Sequence, residues 1–178
     1  MKEHTIYFAK NDFYNIIRTV GGTWNDSKER PLICLIKLLE SDDIYWAIPM
    51  GNFNHRSDEA KQRIQKFISY DKKDIRSCFY HIGNTDVTSI FFITDVVPIT
   101  QKYIERSYIG KYTQQPFVIK NKKLLAELKR KLTRILYWEN TKPNYYRQHI
   151  TGIKKYLLAE LEEENKQKEN NNDIDSEE

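Results

Sequence analysis

The residues Tyr45 to Arg56 read YWAIPMGNFNHR, an apolar run that ends in proline and glycine and leads into two asparagines, a histidine and an arginine. Aromatic and β-branched residues dominate the apolar part, which predicts a strand. Polar side chains that directly follow a strand often sit in loops that a rigid scaffold positions for function. The stretch therefore predicts either a strand that runs into a plain surface turn or a strand end that holds a site.

The flanking sequence extends the β pattern. The runs PLICLIKLL (31–39) and DIYWAIPM (43–50) are joined by ESD, which favours a hairpin. Further strand patterns cover 4–8, 78–83 and 88–99, while 11–20 and 57–71 have helical spacing. Asn11 or Asp12 is the expected cap of the first helix.

The C-terminal part is predicted to be helical. Two amphipathic stripes are separated by Pro143. Their apolar positions are Leu124, Leu125, Leu128, Leu132, Ile135 and Leu136, then Tyr146, Ile150, Ile153 and Leu157. The last segment, NKQKENNNDIDSEE, has almost no apolar residues and is predicted to be disordered. We therefore expect an α+β fold in one domain, 1–165, followed by an acidic disordered tail, 166–178.

Composition narrows the class of protein. The chain has 178 residues, 39% of them hydrophobic, and no run near the roughly 20 apolar residues that cross a bilayer. Its N-terminus lacks the pattern of a signal peptide, so we expect a cytoplasmic protein without membrane contact. Cys34 and Cys78 are far apart and have no histidine partners in metal-ligand spacing, which predicts buried thiols, no metal site and no cofactor.

The charge is divided along the chain. Glu160 to Glu178 has nine acidic and two basic residues, whereas Ile119 to Ala159 has eleven basic and two acidic residues. A basic helical segment with interleaved aromatic residues is typical of an RNA-binding surface, although lysine-rich solvated helices are equally common. The predicted RNA-binding residues are Lys120, Lys122, Lys123, Lys129, Arg130, Arg134, Lys142, Tyr145, Tyr146, Arg147, Lys154 and Lys155.

The order TIYFAKNDFYNII, PLICLIKLL, IYWAIPMGN, SIFFITDVVPI and a long helical part resembles the endoribonuclease toxins of type III toxin–antitoxin systems, the ToxN, AbiQ, TenpN and CptN group. The CptN branch is the most similar. The pattern covers residues 4 to 160, and its compact motif is a Tyr-x-x-x-Pro strand end, here Tyr45 and Pro49 with the Met50, Gly51 and Asn52 that follow.

This resemblance implies a small twisted antiparallel β-barrel of the MazF and Kid type, elaborated by helices. It implies sequence-selective RNA cleavage without a metal, and an antitoxin that is itself a folded RNA repeat bound directly to the toxin. Protein and RNA would alternate in a closed hetero-oligomer, and cellular RNA would be the target. It also implies a basic residue near the start of the strand before Tyr45, for which Arg30 is preferred over Lys37 because it precedes the strand.

The polar loop contains groups suited to such cleavage. Attack by the ribose 2′-hydroxyl requires an acid or base and cations that stabilise the phosphorane. His55 can act as acid or base, and Arg56 can pair with two phosphate oxygens. Asn52 and Gly51 offer an amide side chain and an accessible backbone N–H. After the proline, ToxN has Thr-Ser and then Lys, where this chain has Gly51-Asn52 and then His55-Arg56.

Other interpretations of the same residues are open. His55 and Asn52 are also ordinary turn residues, His81 in an apolar strand is more typical of a core histidine, and His149 fits either a helix face or RNA contact. The alternatives to an RNA-regulated endoribonuclease are a non-catalytic RNA-binding module and a MazF-like nuclease that a protein antitoxin neutralises.

Overall fold

The stretch 45–52 forms the strand around which the fold is built. The computed structural model describes residues 1–24, 32–38 and 43–175. Within these residues there is one antiparallel sheet of seven strands. They are β1 (Ile6–Ala9), β2 (Leu32–Ile36), β3 (Tyr45–Asn52), β4 (Tyr80–Asn84), β5 (Thr88–Phe92), β6 (Val97–Ile99) and β7 (Ile104–Ser107). Four helices accompany it in the described chain: α1 (Asn11–Thr19), α2 (Asp58–Ile68), α3 (Lys122–Thr141) and α4 (Ile150–Asp175). The predicted α+β fold with C-terminal helices is confirmed.

The sheet is open. Its order is β4-β5-β3-β2-β1-β7, with β6 beside β5 on the same edge of β3. Among the described strands, β4 and β7 do not pair with each other, so the predicted closed barrel is not confirmed. Closure requires the two end strands to meet. Helix α3 instead contacts the end strand β4, where Leu124 lies against Gly83, and also Glu3 just before β1, where Lys129 pairs with it.

The segment 88–99, predicted as one strand, is divided by a short 3-10 turn at Ile93–Asp95. Met50 of β3 pairs with Phe91, whereas Ala47 pairs with Val97. The two partners are thus six positions apart in sequence, although Met50 and Ala47 are only three positions apart. Such an insertion forces the bulged strand out of line. The turn therefore projects from the sheet, and β7 is an additional strand that the sequence pattern did not predict.

Both faces of the sheet are covered. Ile48 and Met50 of β3 pack in the core formed with α3, whereas Ala47 packs in the core formed with α1 and α4. In β2, Cys34 and Leu35 divide between the same two cores. Strands buried on both faces have near-continuous apolar sequences, which explains the runs LICLI and YWAIPM.

The helix ends follow local rules, with one exception. Gly21 has φ of 81°, and the N–H groups of Gly21 and Gly22 donate to the carbonyls of Arg18 and Ile17, which is a Schellman motif at the end of α1. The N-cap of α1 is Lys10 and has no side-chain cap, so the predicted cap at Asn11 or Asp12 is wrong.

Helix α4 continues to Asp175, so residues 166–175 are helical where composition predicts a disordered tail. Glu160 and Glu164 both pair with Lys102, which ties the middle of the helix to the body of the protein. Glu, Lys and Gln are good helix formers that can extend a helix once packing has begun it. Cys34 and Cys78 are buried free thiols, as predicted. No helix among the described residues has the length and apolarity that a membrane span requires.

Candidate nucleic-acid interface

An open groove of about 690 Å³ lies between α2, the 3-10 turn and the linker 142–149 that joins α3 to α4. Three arginines from separate elements line it: Arg56 from the loop after β3, Arg63 from α2 and Arg147 from the linker. One carboxylate, Asp95, also lines the groove, together with six aromatic residues: Phe67, Phe79, Tyr80, Phe92, Tyr145 and Tyr146. We call this the arginine groove.

Arg56 reaches the groove by crossing Gly51. A Cβ atom on residue 51 would lie 2.8 Å from Arg56 Nη2, so the absence of a side chain leaves room for the guanidinium. The guanidinium carbon lies 5.2 Å from the ring centroid of Phe92, within cation–π range. Arg56 Nε is buried and has no partner among the described residues. The missing side chain of Gly51 thus has a steric role, and its role as a backbone donor stays a prediction.

Asn52 and His55 form a contact beside the groove rather than within it. The backbone N–H of Asn54 donates to Asn52 Oδ1 at 2.9 Å, which turns the amide nitrogen towards His55. Asn52 Nδ2 lies 3.3 Å from His55 Nε2. Because an amide nitrogen only donates, Nε2 accepts, and the neutral ring carries its proton on Nδ1. His55 is exposed and does not line the groove, so the structure brings Arg56 but not His55 to the groove wall.

The linker is held against the 3-10 turn by side chains. Arg147 donates to Asp95 Oδ2 at 3.0 Å, and Gln148 Nε2 donates to the carbonyls of Thr94 and Val96 at 2.7 and 2.9 Å. Gln148 is fully buried, and these bonds satisfy its amide nitrogen, while its Oε1 has no partner among the described residues. The 3-10 turn inserted between β5 and β6 therefore fixes the position of the linker and of the linker residues that line the groove.

The two tyrosines of the linker differ in role. Tyr145 is 57% exposed and lies edge-on to Trp138, with Lys142 Nζ 5.1 Å from the Trp138 ring. Tyr146 is 7% exposed and packs in the α3 core, and burial raises the pKa of its hydroxyl. Tyr145 is available for stacking. Tyr146 was predicted both as an apolar position of the second helical stripe and as an RNA-binding residue, and it is a core residue whose edge lines the groove.

The remaining predicted RNA-binding residues are not gathered on one surface. Lys129 pairs with Glu3 and Arg130 with Glu127, each at 2.9 Å. Lys154 lies over Trp46 and lines a different cavity. Four others are exposed: Lys120, Lys122, Lys123 and Lys155.

Arg134, also predicted to contact RNA, binds the protein instead. Its guanidinium donates to the carbonyls of Lys72 and Lys73 and contacts Cys78 Sγ. It therefore anchors the segment between α2 and β4, which carries Phe79 and Tyr80 to the groove.

Two basic residues that the sequence did not single out help to form the groove. Lys131 is 4% exposed, and its ammonium donates to the carbonyls of Ser77 and Tyr80 at 2.8 and 2.6 Å, while burial lowers its pKa. It fixes the backbone that carries Tyr80. Arg63 lies on α2 one turn before Phe67, and this i, i+4 spacing is the signal that could have placed it on the same face.

The other histidines have structural settings. His81 lies in β4 and is half-buried, and burial and the nearby Lys131 lower its pKa to about 4. His149 Nδ1 lies 3.0 Å from the carbonyl of Val20, so it donates to the end of α1. Arg30 lies outside the described residues. Within those residues, no three His, Cys, Asp or Glu side chains are grouped so that they could hold a metal ion.

These features can be compared with those of known proteins. No protein-family model matches the chain. No curated sequence matches it significantly. The chemistry of the groove must therefore be inferred from its own residues.

Proposed function

We propose that this protein is a metal-independent endoribonuclease toxin that holds single-stranded RNA in the arginine groove. The observation that carries the proposal is the convergence of Arg56, Arg63 and Arg147 on one groove with aromatic walls. Guanidinium groups pair with phosphates, and exposed aromatic rings such as Tyr145 stack with bases of any sequence. A single strand offers both groups at once, whereas in a duplex the bases are stacked on one another.

The cleavage step follows from the same residues. The 2′-oxygen bonds to phosphorus as the bond to the 5′-oxygen breaks, leaving a 2′,3′-cyclic phosphate and a 5′-hydroxyl. Arg56 and Arg63 stabilise the negative charge of the phosphorane. One proton leaves the 2′-hydroxyl and one reaches the departing 5′-oxygen.

His55 directly precedes Arg56 in the loop after β3 and is the residue that we assign to exchange these protons. In its contact with Asn52, Nε2 is occupied and Nδ1 carries the proton, so the ring accepts a proton only after the Asn52 contact is released. Asn52 is thus a positioning residue for the imidazole. If His55 exchanges no proton with bound RNA, the groove is a binding surface without cleavage, which is the competing function.

The proposal includes the partner and the fold relationship. The antitoxin is an RNA repeat that occupies the groove and assembles with the toxin into a closed complex. The proposal also takes the open antiparallel sheet to be a relative of the small barrel of MazF and Kid toxins.

The test uses the purified chain freed of RNA. We expect it to cut single-stranded RNA in EDTA and to leave 2′,3′-cyclic phosphate ends. Arg56→Ala and Arg63→Ala should each slow cleavage by about 10²-fold, typical of a lost charge-stabilising group. Arg76→Ala is the matched control, because Arg76 pairs with Asp74 and does not line the groove.

Three outcomes separate the alternatives. RNA that binds and stays intact would identify a binding module. Cleavage that requires added Mg²⁺ would refute the mechanism. Cleavage blocked by a co-expressed protein, with no repeat RNA copurifying, would favour a nuclease controlled by a protein antitoxin.

A further inference from the structure

Tyr80 presents a hydroxyl in the arginine groove that has no internal role. The residue begins β4 and is half-buried, and its side chain lines the groove. Its hydroxyl makes no hydrogen bond within the described part of the chain. The hydroxyl of Tyr146 is also unpaired there but is buried, whereas that of Tyr80 stays accessible. A molecule bound in the groove can therefore reach the Tyr80 hydroxyl.

The ring and the backbone of Tyr80 are held from three sides. Its ring makes T-shaped contacts with Phe67 and Phe92, at centroid distances of 5.6 and 6.0 Å. Its carbonyl accepts from the buried ammonium of Lys131 at 2.6 Å. A donor that is fixed before the ligand arrives needs no reorganisation during a reaction. The hydroxyl is thus preorganised by contacts that do not use its own hydrogen-bonding capacity.

Two cations without a carboxylate partner in the described chain accompany this hydroxyl. The ring of Phe92 contacts Tyr80 and also lies 5.2 Å from the guanidinium carbon of Arg56, so both residues converge on one ring. Arg63 acts electrostatically on the Tyr80 hydroxyl and lines the same groove. Because guanidinium groups pair with phosphate oxygens, a phosphate is the anion that these groups would hold beside the hydroxyl.

The hydroxyl carries its proton at neutral pH. Burial raises the pKa of Tyr80 above its usual value of 10.0 and outweighs the opposing effect of Arg63. Asp95 raises this pKa and Arg147 lowers it, and these two residues are paired with each other. A protonated phenol donates to a phosphate oxygen, whereas a phenolate would repel it.

We propose that the Tyr80 hydroxyl donates a hydrogen bond to a non-bridging oxygen of the scissile phosphate and that this bond strengthens as the phosphorane forms. The proton remains on Tyr80, so the proton exchange between the 2′- and 5′-oxygens does not pass through it. Tyr80 is then a catalytic residue beside Arg56 and Arg63. The assignment rests on the proposed cleavage of RNA, and it adds a neutral donor to the two cations.

Tyr80→Phe tests the assignment, because it removes the hydroxyl and keeps the ring between Phe67 and Phe92. We expect single-turnover cleavage in EDTA to slow by about 10²-fold, as for a lost oxyanion donor. Affinity for a fully 2′-deoxy strand, which cannot be cut, should fall by at most about tenfold. The melting temperature should not change, since the hydroxyl has no partner within the described fold. Tyr108→Phe is the matched control and should cleave at the wild-type rate, because its hydroxyl donates to Asp86 at 2.8 Å and lies outside the groove.

Phosphorothioate strands separate a direct contact from an indirect effect. Sulfur is a weaker hydrogen-bond acceptor than oxygen, so the loss caused by Tyr80→Phe should shrink for one of the two diastereomers at the cleaved linkage. An equal loss on the oxygen strand and on both diastereomers would overturn the contact. Wild-type cleavage by Tyr80→Phe would overturn it as well, and so would a loss of affinity as large as the loss of rate. A wild-type chain that cuts no RNA would refute the proposed endoribonuclease together with this assignment, so the two failures are distinguishable.

Discussion

The contact between Gly51 and Arg56 makes a sharp prediction for Gly51→Ala. The added Cβ would lie 2.8 Å from Arg56 Nη2, whereas carbon contacts are comfortable at about 3.5–4.0 Å. The guanidinium must therefore retreat by roughly 0.7 Å or more. A misplacement near 1 Å can reduce a rate by about 10²-fold, so we expect RNA cleavage to slow by about 10- to 100-fold.

The fold should hardly change, because the displaced atom ends a flexible side chain. We expect the free energy of unfolding of Gly51→Ala to remain within about 0.5 kcal/mol of wild type. Gly83→Ala is the matched control: its Cβ would lie 2.6 Å from Leu124 Cδ1 in the core, which predicts a loss of about 1–3 kcal/mol. Cleavage rates on a labelled RNA and urea denaturation measure the two effects. Wild-type cleavage by Gly51→Ala, alongside an inactive Arg56→Ala, would refute the proposed placement of the guanidinium.

Three further predictions concern stability and RNA affinity. The pKa of His81 is lowered from 6.5 to about 4 in the folded protein, so on acidification His81 is protonated in the unfolded chain before it is protonated in the folded one. The free energy of unfolding should therefore fall as the pH drops from about 6.5 to about 4. Thermal melts of His81→Gln should show a smaller decline over this pH range. Lys131→Met leaves two buried carbonyls without their donor and should lower the free energy of unfolding by about 1–3 kcal/mol, whereas Lys129→Met on an exposed pair should lose under ~1 kcal/mol. If the three groove arginines contact phosphates, log affinity for single-stranded RNA should fall with log salt at a slope of about −2. Truncation after Asn165 should not weaken RNA binding, because the acidic residues that it removes repel phosphates. A flat salt response, or lost binding on truncation, would contradict the last prediction.

Part of the candidate site could be predicted from local sequence. Arg56, Arg147 and Tyr145 stand out because a basic or aromatic residue in a polar loop or a basic segment has few other roles. Arg63 and Lys131 did not stand out, since one lies among other charged residues of α2 and the other within a run of basic residues on α3. Whether such a cation contacts solvent, a carbonyl or a carboxylate depends on what packs opposite it. Local sequence does not contain that information.

The sequence by itself determined the alternation of strands and helices, the two-faced burial of the central strands and the glycine end of α1, because these depend on side-chain periodicity and backbone freedom within a few residues. Only the tertiary structure decided that the sheet stays open, that three inserted residues divide β5 from β6, and that Arg134 binds carbonyls instead of facing solvent. It also decided that Tyr80 lines the arginine groove. These features arise from contacts between residues tens of positions apart, where packing and hydrogen-bond satisfaction outweigh any local preference.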